Sequence, residues 1–189
     1  MHGLLDTPAV FRPLQQLLAG RRPDLLLPAL PMRFGLTPVR EAALLLQQHI
    51  EALAPGSAPV DVLGFSMGGV IARTWIQQLG GQRRTRRFIS LGSPQQGTWT
   101  AQPWPGRLFP GLADLKCGSA LLQELNADLE RLRGVECHSF YSALDLAVLP
   151  GWRAVLPVGS ARALPVATHP QLLRDPAALQ PLVEELLRT

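Results

Sequence analysis

The chain has 189 residues, of which 47% are hydrophobic and 17% are charged, which indicates a folded globular protein of one domain rather than a disordered chain. No uninterrupted apolar stretch is long enough for a membrane-spanning helix. The formal net charge is +4. The densest basic run, residues 83–87, fits a solvated loop better than a nucleic-acid site, because nothing around it suggests base stacking or a DNA-reading helix.

The cysteine content and the amino-terminal sequence indicate in which cellular compartment the protein is expected. Cys117 and Cys137 are too few for a disulfide framework and lack metal-ligand spacing, although a single bridge between them stays open. The amino terminus has no basic segment followed by a long apolar run, so no signal peptide is predicted and a cytoplasmic location is expected. No dinucleotide fingerprint follows a strand, and we expect neither a cofactor nor a metal.

The first half of the chain alternates helices with short apolar runs. Cap-and-proline signals at Thr7-Pro8 and Thr37-Pro38 predict helices over 8–19 and 38–53. Residues 24–30 read as a strand that Pro28 places at an edge or a bulge. The run at 60–63 predicts a buried strand, and 70–79 a helix that Gly80-Gly81 ends.

The second half continues the alternation and indicates an α/β protein. It predicts strands over 87–91, 135–141 and within 152–158, a helix over 119–132, and one or two amphipathic helical pieces over 170–187. Residues 99–116 form a long loop without periodicity, inside a lid-like or cap-like insertion over 98–133. The order predicts a three-layer α/β/α fold with a mainly parallel sheet, as one domain over 1–189.

The sequence from Gly64 to Gly69 stands between a predicted strand and a predicted helix. A serine on such a turn adopts a strained backbone that presents its Oγ, and only small residues fit two positions to either side. Gly64 and Gly68 meet that need around Ser66. The pattern predicts a nucleophile elbow of an α/β-hydrolase.

A serine nucleophile needs a base and an acid that orients the base. His169 precedes a proline, which places it in extended chain just outside the last helix, at the sheet edge where Ser66 lies. We prefer it to the remaining histidines, which lie in a helix, in a strand and at the start of the chain. Asp145 follows a strand and falls between Ser66 and His169 in the chain. The other acids in that interval lie on a helix face, in the lid or within a strand: Asp114, Asp128 and Glu136.

The tetrahedral oxyanion of acyl transfer needs N–H donors that are already in position. The residue after the nucleophile, Met67, supplies one at the start of its helix. The other is expected from the loop at His2-Gly3, from Leu4 or, as second choice, from Leu5.

Six segments together resemble the bacterial and cyanobacterial lipase-like α/β-hydrolases that have a His-Gly oxyanion motif. They are His2-Gly3-Leu4 with Asp6-Thr7-Pro8, the elbow, Gly92-Ser93-Pro94 with Gly97-Thr98, Gly118 to Asn126, Tyr141 to Pro150, and His169 with Leu172-Leu173. The resemblance implies a triad of Ser66, Asp145 and His169, oxyanion donors at Leu4 and Met67, and a site lined by the segment after Gly92. The remaining residues expected to contact substrate are His2, Gly3, Leu5, Phe65, Gln95 and Trp99.

Two features depart from that family. Gln95-Gln96 stands where relatives often have a histidine. Relatives also have an apolar strand directly before His-Gly, whereas here only Met1 precedes it, so the chain is expected to lack the first strands of the full fold. A mis-assigned start explains this better than a truncated copy, and the strands at 24–30 and 60–63 are expected to face a gap.

The function predicted from these residues is hydrolysis of carboxylic esters, namely lipid or acyl esters, through an acyl-enzyme intermediate. An acyltransferase, a thioesterase or a deacylase of a lipid-linked glycan shares the same triad. The lid-like segment either covers an acyl pocket and touches a membrane surface transiently or packs ordinarily on the sheet. The alternative from another class is a catalytically inactive, hydrolase-like binding protein or truncated remnant. No nucleic-acid partner is expected.

Overall fold

A parallel sheet of four strands lies at the centre of the computed structural model, which describes residues 1–31 and 33–188. The strands stand side by side in chain order: β1 (Val60–Phe65), β2 (Thr85–Leu91), β3 (Glu136–Tyr141) and β4 (Ser160–Ala163). Because all four are parallel, the segments that follow β1, β2, β3 and β4 emerge at one edge of the sheet.

Helices cover both faces of the sheet. They are α1 (Arg12–Leu18), α2 (Val39–Leu53), α3 (Met67–Gln78), α4 (Pro110–Ala113), α5 (Ala120–Ala127) and α6 (Pro176–Leu187). One apolar core joins α2, α3 and α5 to Val62 and Phe88 of the sheet. A second core joins α1 and α6 to Leu63 and Ile89, which are the next residues along the same strands and therefore point to the opposite face. The expected three-layer α/β/α architecture is confirmed.

The first residue of the chain extends the sheet beside β1. The Met1 nitrogen donates to the Leu63 carbonyl at 2.6 Å, and the Phe65 N–H donates to the Met1 carbonyl at 2.9 Å, which is the pattern of a parallel ladder. Below this contact an apolar groove of about 740 Å³ runs along β1. The gap expected at this place is therefore present.

Residues 24–30 do not form the predicted strand. Residues 24–28 line the groove, and Pro28 lacks the backbone donor that a strand would use. Their apolar side chains reflect packing against α1 and α6, since Leu25 and Leu27 touch the second core.

The last strand lies later than predicted. Residues 152–158 overlap a 3₁₀ turn, Gly151–Ala154, and contain Pro157. The Leu156 N–H donates to the Ser139 hydroxyl instead of a sheet partner. The strand is Ser160–Ala163, whose four residues are all exposed at the sheet edge. An exposed edge strand has no apolar pattern, and the sequence gives no signal for it.

One predicted helix is interrupted. The helix predicted over 119–132 ends at Ala127, and a 3₁₀ turn, Leu129–Leu132, follows. The segment over 170–187 forms two pieces, which are a 3₁₀ turn, His169–Leu173, and α6. The long loop over 99–116 likewise contains short helical turns, at Trp99–Ala101 and α4.

The basic run at 83–87 is not a solvated loop, because Arg86 and Arg87 belong to β2. Arg87 is buried and forms ion pairs with Glu136 of β3 and Glu185 of α6. These contacts fix the last helix to the sheet.

Both cysteines are free, so they do not form the single bridge that stayed open. Burial raises the pKa of the Cys137 thiol to about 11, which keeps it protonated. In the described part of the chain, every helix is too short or too polar to cross a membrane.

Candidate active site

Ser66 occupies a sharp turn between β1 and α3. Its backbone has φ 54° and ψ −132°, a combination that non-glycine residues rarely adopt and that persists only where the surroundings enforce it. The turn brings Gly64 so close to Gly69 that a methyl group at Gly64 would lie 2.7 Å from the Gly69 nitrogen. The elbow geometry expected from the spacing of the glycines is present.

Asp145 and His169 meet beside this turn. The Nδ1 atom of His169 lies 2.6 Å from Oδ2 of Asp145, although 24 residues separate them in the chain. The imidazole ring stacks on the ring of Phe65, the residue before Ser66, with 4.7 Å between ring centres. The Nε2 atom of His169, on the other side of the ring from Asp145, is buried and has no partner among the described residues.

The loop after β3 holds the Asp145 carboxylate in place. Its Oδ1 accepts the backbone N–H groups of Ala147 and Val148, at 2.7 and 3.2 Å, which leaves Oδ2 for His169. The side chain is 1% exposed. A fixed, acceptor-only carboxylate at Nδ1 selects the tautomer in which Nε2 is free to accept a proton.

His169 is not in extended chain as predicted. It begins the 3₁₀ turn His169–Leu173, and Thr168 before it is the extended residue. A capping box between Thr168 and Gln171 starts the turn one residue earlier than Pro170 alone suggests.

The His2-Gly3 segment packs directly on the elbow. A methyl group at Gly3 would lie 2.9 Å from the Cβ of Ser66, so this backbone reaches the nucleophile only because position 3 is glycine. The buried His2 ring fixes the segment: its Nε2 accepts the Leu30 N–H, and burial lowers the pKa of His2, which keeps the ring neutral. The N–H groups of Leu4 and Met67 donate to no other described residue.

The other residues expected to contact substrate are placed differently from one another. Leu5 and Trp99 are exposed, whereas Phe65 is buried and stacks on the His169 ring. Gln95 lies in the interior, where its amide donates to the Ser90 hydroxyl at 2.9 Å. The structure therefore gives Gln95 a position that anchors the loop, instead of the substrate-lining position expected from the sequence.

A sequence-family model described as palmitoyl protein thioesterase matches residues 36–142, more than half of the chain. The chain belongs to the palmitoyl protein thioesterase family. The match includes the elbow and the segment after β2 and ends just before Asp145. Comparison with curated protein sequences gives no match.

Solved structures place this family member in the α/β-hydrolase fold. Aspergillus fumigatus lipase B superposes with a TM-score of 0.76 at 18% identity, covering 99% of this chain and 51% of the lipase, so the chain spans about half the length of that protein. A Bacillus licheniformis lipase in mature form gives 0.70 at 12% identity, covering 100% of this chain and 90% of the lipase. Polyneuridine aldehyde esterase superposes with a TM-score of 0.66 at 15% identity, covering 99% of this chain and 97% of the esterase.

Sequence reasoning missed Arg73 of α3, a fully buried cation in this palmitoyl protein thioesterase family member. Its guanidinium donates to the Gln95 carbonyl at 3.2 Å, to the Leu125 carbonyl at 2.9 Å and to the side chains of Gln77 and Asn126. Burial lowers the pKa of Arg73 to about 10, so the group stays charged at neutral pH. The signal in the sequence was an arginine on the buried face of the elbow helix.

Replacing Arg73 with alanine is expected to reduce the free energy of unfolding by about 2–5 kcal/mol, because it leaves a cavity and several buried oxygens without donors. Chemical denaturation measures the change. Arg131→Ala, which removes an exposed arginine paired with Asp128, is the matched control and is expected to shift stability by no more than about 0.5 kcal/mol. Equal effects of the two variants would contradict an anchoring role for Arg73.

Gly68→Ala is expected to lower kcat by about 10²–10³-fold, the typical loss for one oxyanion donor. The added methyl group would collide with the His2 carbonyl and lie 2.5 Å from the Met1 carbonyl, which pushes the segment with the Leu4 N–H off the elbow. Gly106→Ala is the control, since the nearest atom to its new methyl group is the Ala113 Cβ at 3.2 Å. Steady-state kinetics measures kcat of both variants, and circular dichroism checks that each is folded. An unchanged kcat in Gly68→Ala would show that the His2-Gly3 segment does not position an oxyanion donor.

Proposed function

We propose that the chain is a serine hydrolase that cleaves carboxylic esters of acyl groups through an acyl-enzyme intermediate. In this proposal Ser66 is the nucleophile, His169 the general base and Asp145 the acid that orients the base. The backbone N–H groups of Leu4 and Met67 bind the oxyanion. No cofactor takes part.

The reaction divides into two halves. The Oγ of Ser66 attacks the acyl carbonyl carbon while its proton passes to Nε2 of His169, and the negative charge that forms on the carbonyl oxygen is bound by the two N–H groups. Collapse breaks the bond to the leaving alcohol, which takes the proton from His169. Water then attacks the acyl-enzyme by the same steps and releases the carboxylic acid and free Ser66.

One observation carries this proposal: the 2.6 Å contact between Asp145 and His169, with the ring stacked against the residue that precedes a strained serine. Ser66, Asp145 and His169 follow β1, β3 and β4, so all three lie at the same edge of the parallel sheet. A buried Nε2 without a partner is further support, because a base must keep that atom free for the nucleophile's proton.

A thioester is the second candidate substrate, and the match to the palmitoyl protein thioesterase family favours it. The same steps apply, with a thiol as the leaving group in place of an alcohol. An acyltransferase differs only in that an alcohol replaces water in the second half-reaction.

The test has two parts. A fluorophosphonate probe, followed by peptide mapping, is expected to modify Ser66, and p-nitrophenyl esters of increasing chain length, compared with long-chain acyl thioesters, are expected to show which acyl compounds are hydrolysed. A folded protein that neither reacts with the probe nor turns over any of these compounds would support the non-catalytic binding protein instead.

A further inference from the structure

The carboxylate of Asp6 lies beside Ser66, and the mechanism proposed above does not use it. A methyl group at Gly3 would lie 2.7 Å from Oδ2 of Asp6 and 3.4 Å from Oγ of Ser66, so the two oxygens border the same small space. Asp6 is half-buried. The candidate active site therefore contains a second acidic group, besides the carboxylate that contacts His169.

A tight turn holds the Asp6 carboxylate at this place. The Asp6 N–H donates to the Gly3 carbonyl at 3.4 Å, which closes a turn over Leu4 and Leu5. The same turn bears the N–H group of Leu4, the proposed oxyanion donor. The negative charge of Asp6 and that donor therefore belong to one short, closed loop.

The fold makes no use of the Asp6 carboxylate. The residue that precedes the 3₁₀ turn Pro8–Phe11 is Thr7, and no side chain caps that turn. The neutral His2 ring contacts the Leu30 N–H and the Gly3 carbonyl, and among the described side chains the Asp6 carboxylate has no hydrogen-bond or ion-pair partner. A partly buried charge that no neighbouring group neutralises is costly, which indicates that it serves binding.

A negative charge at this position opposes the reaction of a neutral ester. In the proposed mechanism negative charge develops on the acyl oxygen at Ser66, and the nearby carboxylate repels it. A cation on the substrate, close to the ester group, is attracted to Asp6 and offsets this repulsion in the transition state. The position of Asp6 therefore discriminates between substrates by the charge beside their carbonyl group.

We propose that Asp6 is a specificity-determining residue that favours acyl esters whose leaving alcohol carries a positively charged nitrogen close to the ester oxygen. The carboxylate contacts the cation while the acyl carbon lies at Ser66. The cation belongs to the leaving group because Asp6 is partly open to solvent, into which a charged alcohol departs. This role of Asp6 rests on the proposed function, since it names the substrate class of the same site.

Two butyrate esters of the same shape test this role. Butyrylcholine carries a quaternary nitrogen, and 3,3-dimethylbutyl butyrate has a carbon atom in its place. The ratio of kcat/KM for the first ester to kcat/KM for the second is expected to be about tenfold higher in the wild type than in Asp6→Asn, which removes the charge and keeps the shape of the side chain. The ratio cancels any change in folding or in the reactivity of Ser66, because both esters meet the same variant.

Asp128→Asn is the matched control, because it removes the same charge from an exposed aspartate that pairs with Arg131. Its ratio is expected to equal that of the wild type. Added salt is expected to lower the ratio in the wild type and to leave the ratio of Asp6→Asn unchanged.

Equal ratios in the wild type and in Asp6→Asn would overturn the role of Asp6 and leave the proposed function intact, since both esters would still be hydrolysed. A folded wild-type protein that hydrolyses neither ester would also overturn it. In that case, labelling of Ser66 by the fluorophosphonate probe shows whether the proposed function fails as well.

Discussion

Alanine at position 66 is expected to reduce kcat for ester hydrolysis by about 10⁶-fold, the scale seen when the nucleophile of a serine triad is removed. Without Oγ no acyl-enzyme forms, and the oxyanion donors can assist only a slow attack by water. Residual activity over the uncatalysed reaction, by about 10³–10⁴-fold, is expected from those donors and from substrate binding.

The fold should tolerate this change. No hydrogen bond to another described residue depends on the Ser66 hydroxyl, and alanine meets the same backbone strain at φ 54° that serine already meets. We therefore expect the stability of Ser66→Ala to be within about 0.5 kcal/mol of the wild type. Its loss of activity then cannot be attributed to unfolding.

Steady-state kinetics on Ser66→Ala and on Ser160→Ala makes the comparison. Ser160 is exposed on β4, where its hydroxyl contacts His138, so this control removes a serine hydroxyl outside the candidate site. Its activity should equal that of the wild type. If Ser66→Ala retains most of the wild-type kcat, the reaction uses another nucleophile and the proposed function is wrong.

How much of the site could be predicted depends on how local each signal is. Ser66 is defined by its own neighbours, because the glycines around it and the strand and helix beside it all lie within about ten residues of the chain. Predicting Asp145 and His169 required only their order in the chain and the rule that the carboxyl ends of parallel strands lie at one edge of the sheet. The strands β1, β2 and β3 were readable because β1 and β2 are mostly apolar and because buried and more exposed residues alternate at the start of β3.

Other features depend on contacts that no local pattern records. The chain over 24–30 has the composition of a strand, yet it pairs with none of the described strands. The strand β4 is exposed and polar, so its partner β3 defines it, not its own side chains. Arg73 and Gln95 acquire their roles from each other, across 22 residues, and the sequence alone assigned Gln95 to the substrate.

Asp145→Asn is expected to lower kcat by about 10⁴-fold at neutral pH. The asparagine oxygen can continue to accept the N–H groups of Ala147 and Val148, which places its NH₂ group opposite Nδ1 of His169. A donor at that position forces Nδ1 to be an acceptor and moves the ring proton to Nε2. In the proposed mechanism the ring then cannot accept the proton of Ser66, because Nε2 already carries one.

The Asp145→Asn variant distinguishes an orienting acid from an aspartate that only shapes its loop. If Asp145 were merely structural, asparagine would preserve its loop contacts and its activity, whereas Asp145→Ala would lose both. If Asp145 is an orienting acid, the Asp145→Asn variant should lose activity while its thermal unfolding stays close to that of the wild type. Asp175→Asn, at the exposed cap of α6 where the carboxylate accepts the Ala177 N–H, is the matched control and should leave kcat unchanged. Wild-type turnover in Asp145→Asn would show that the 2.6 Å contact with His169 serves the fold and not the reaction.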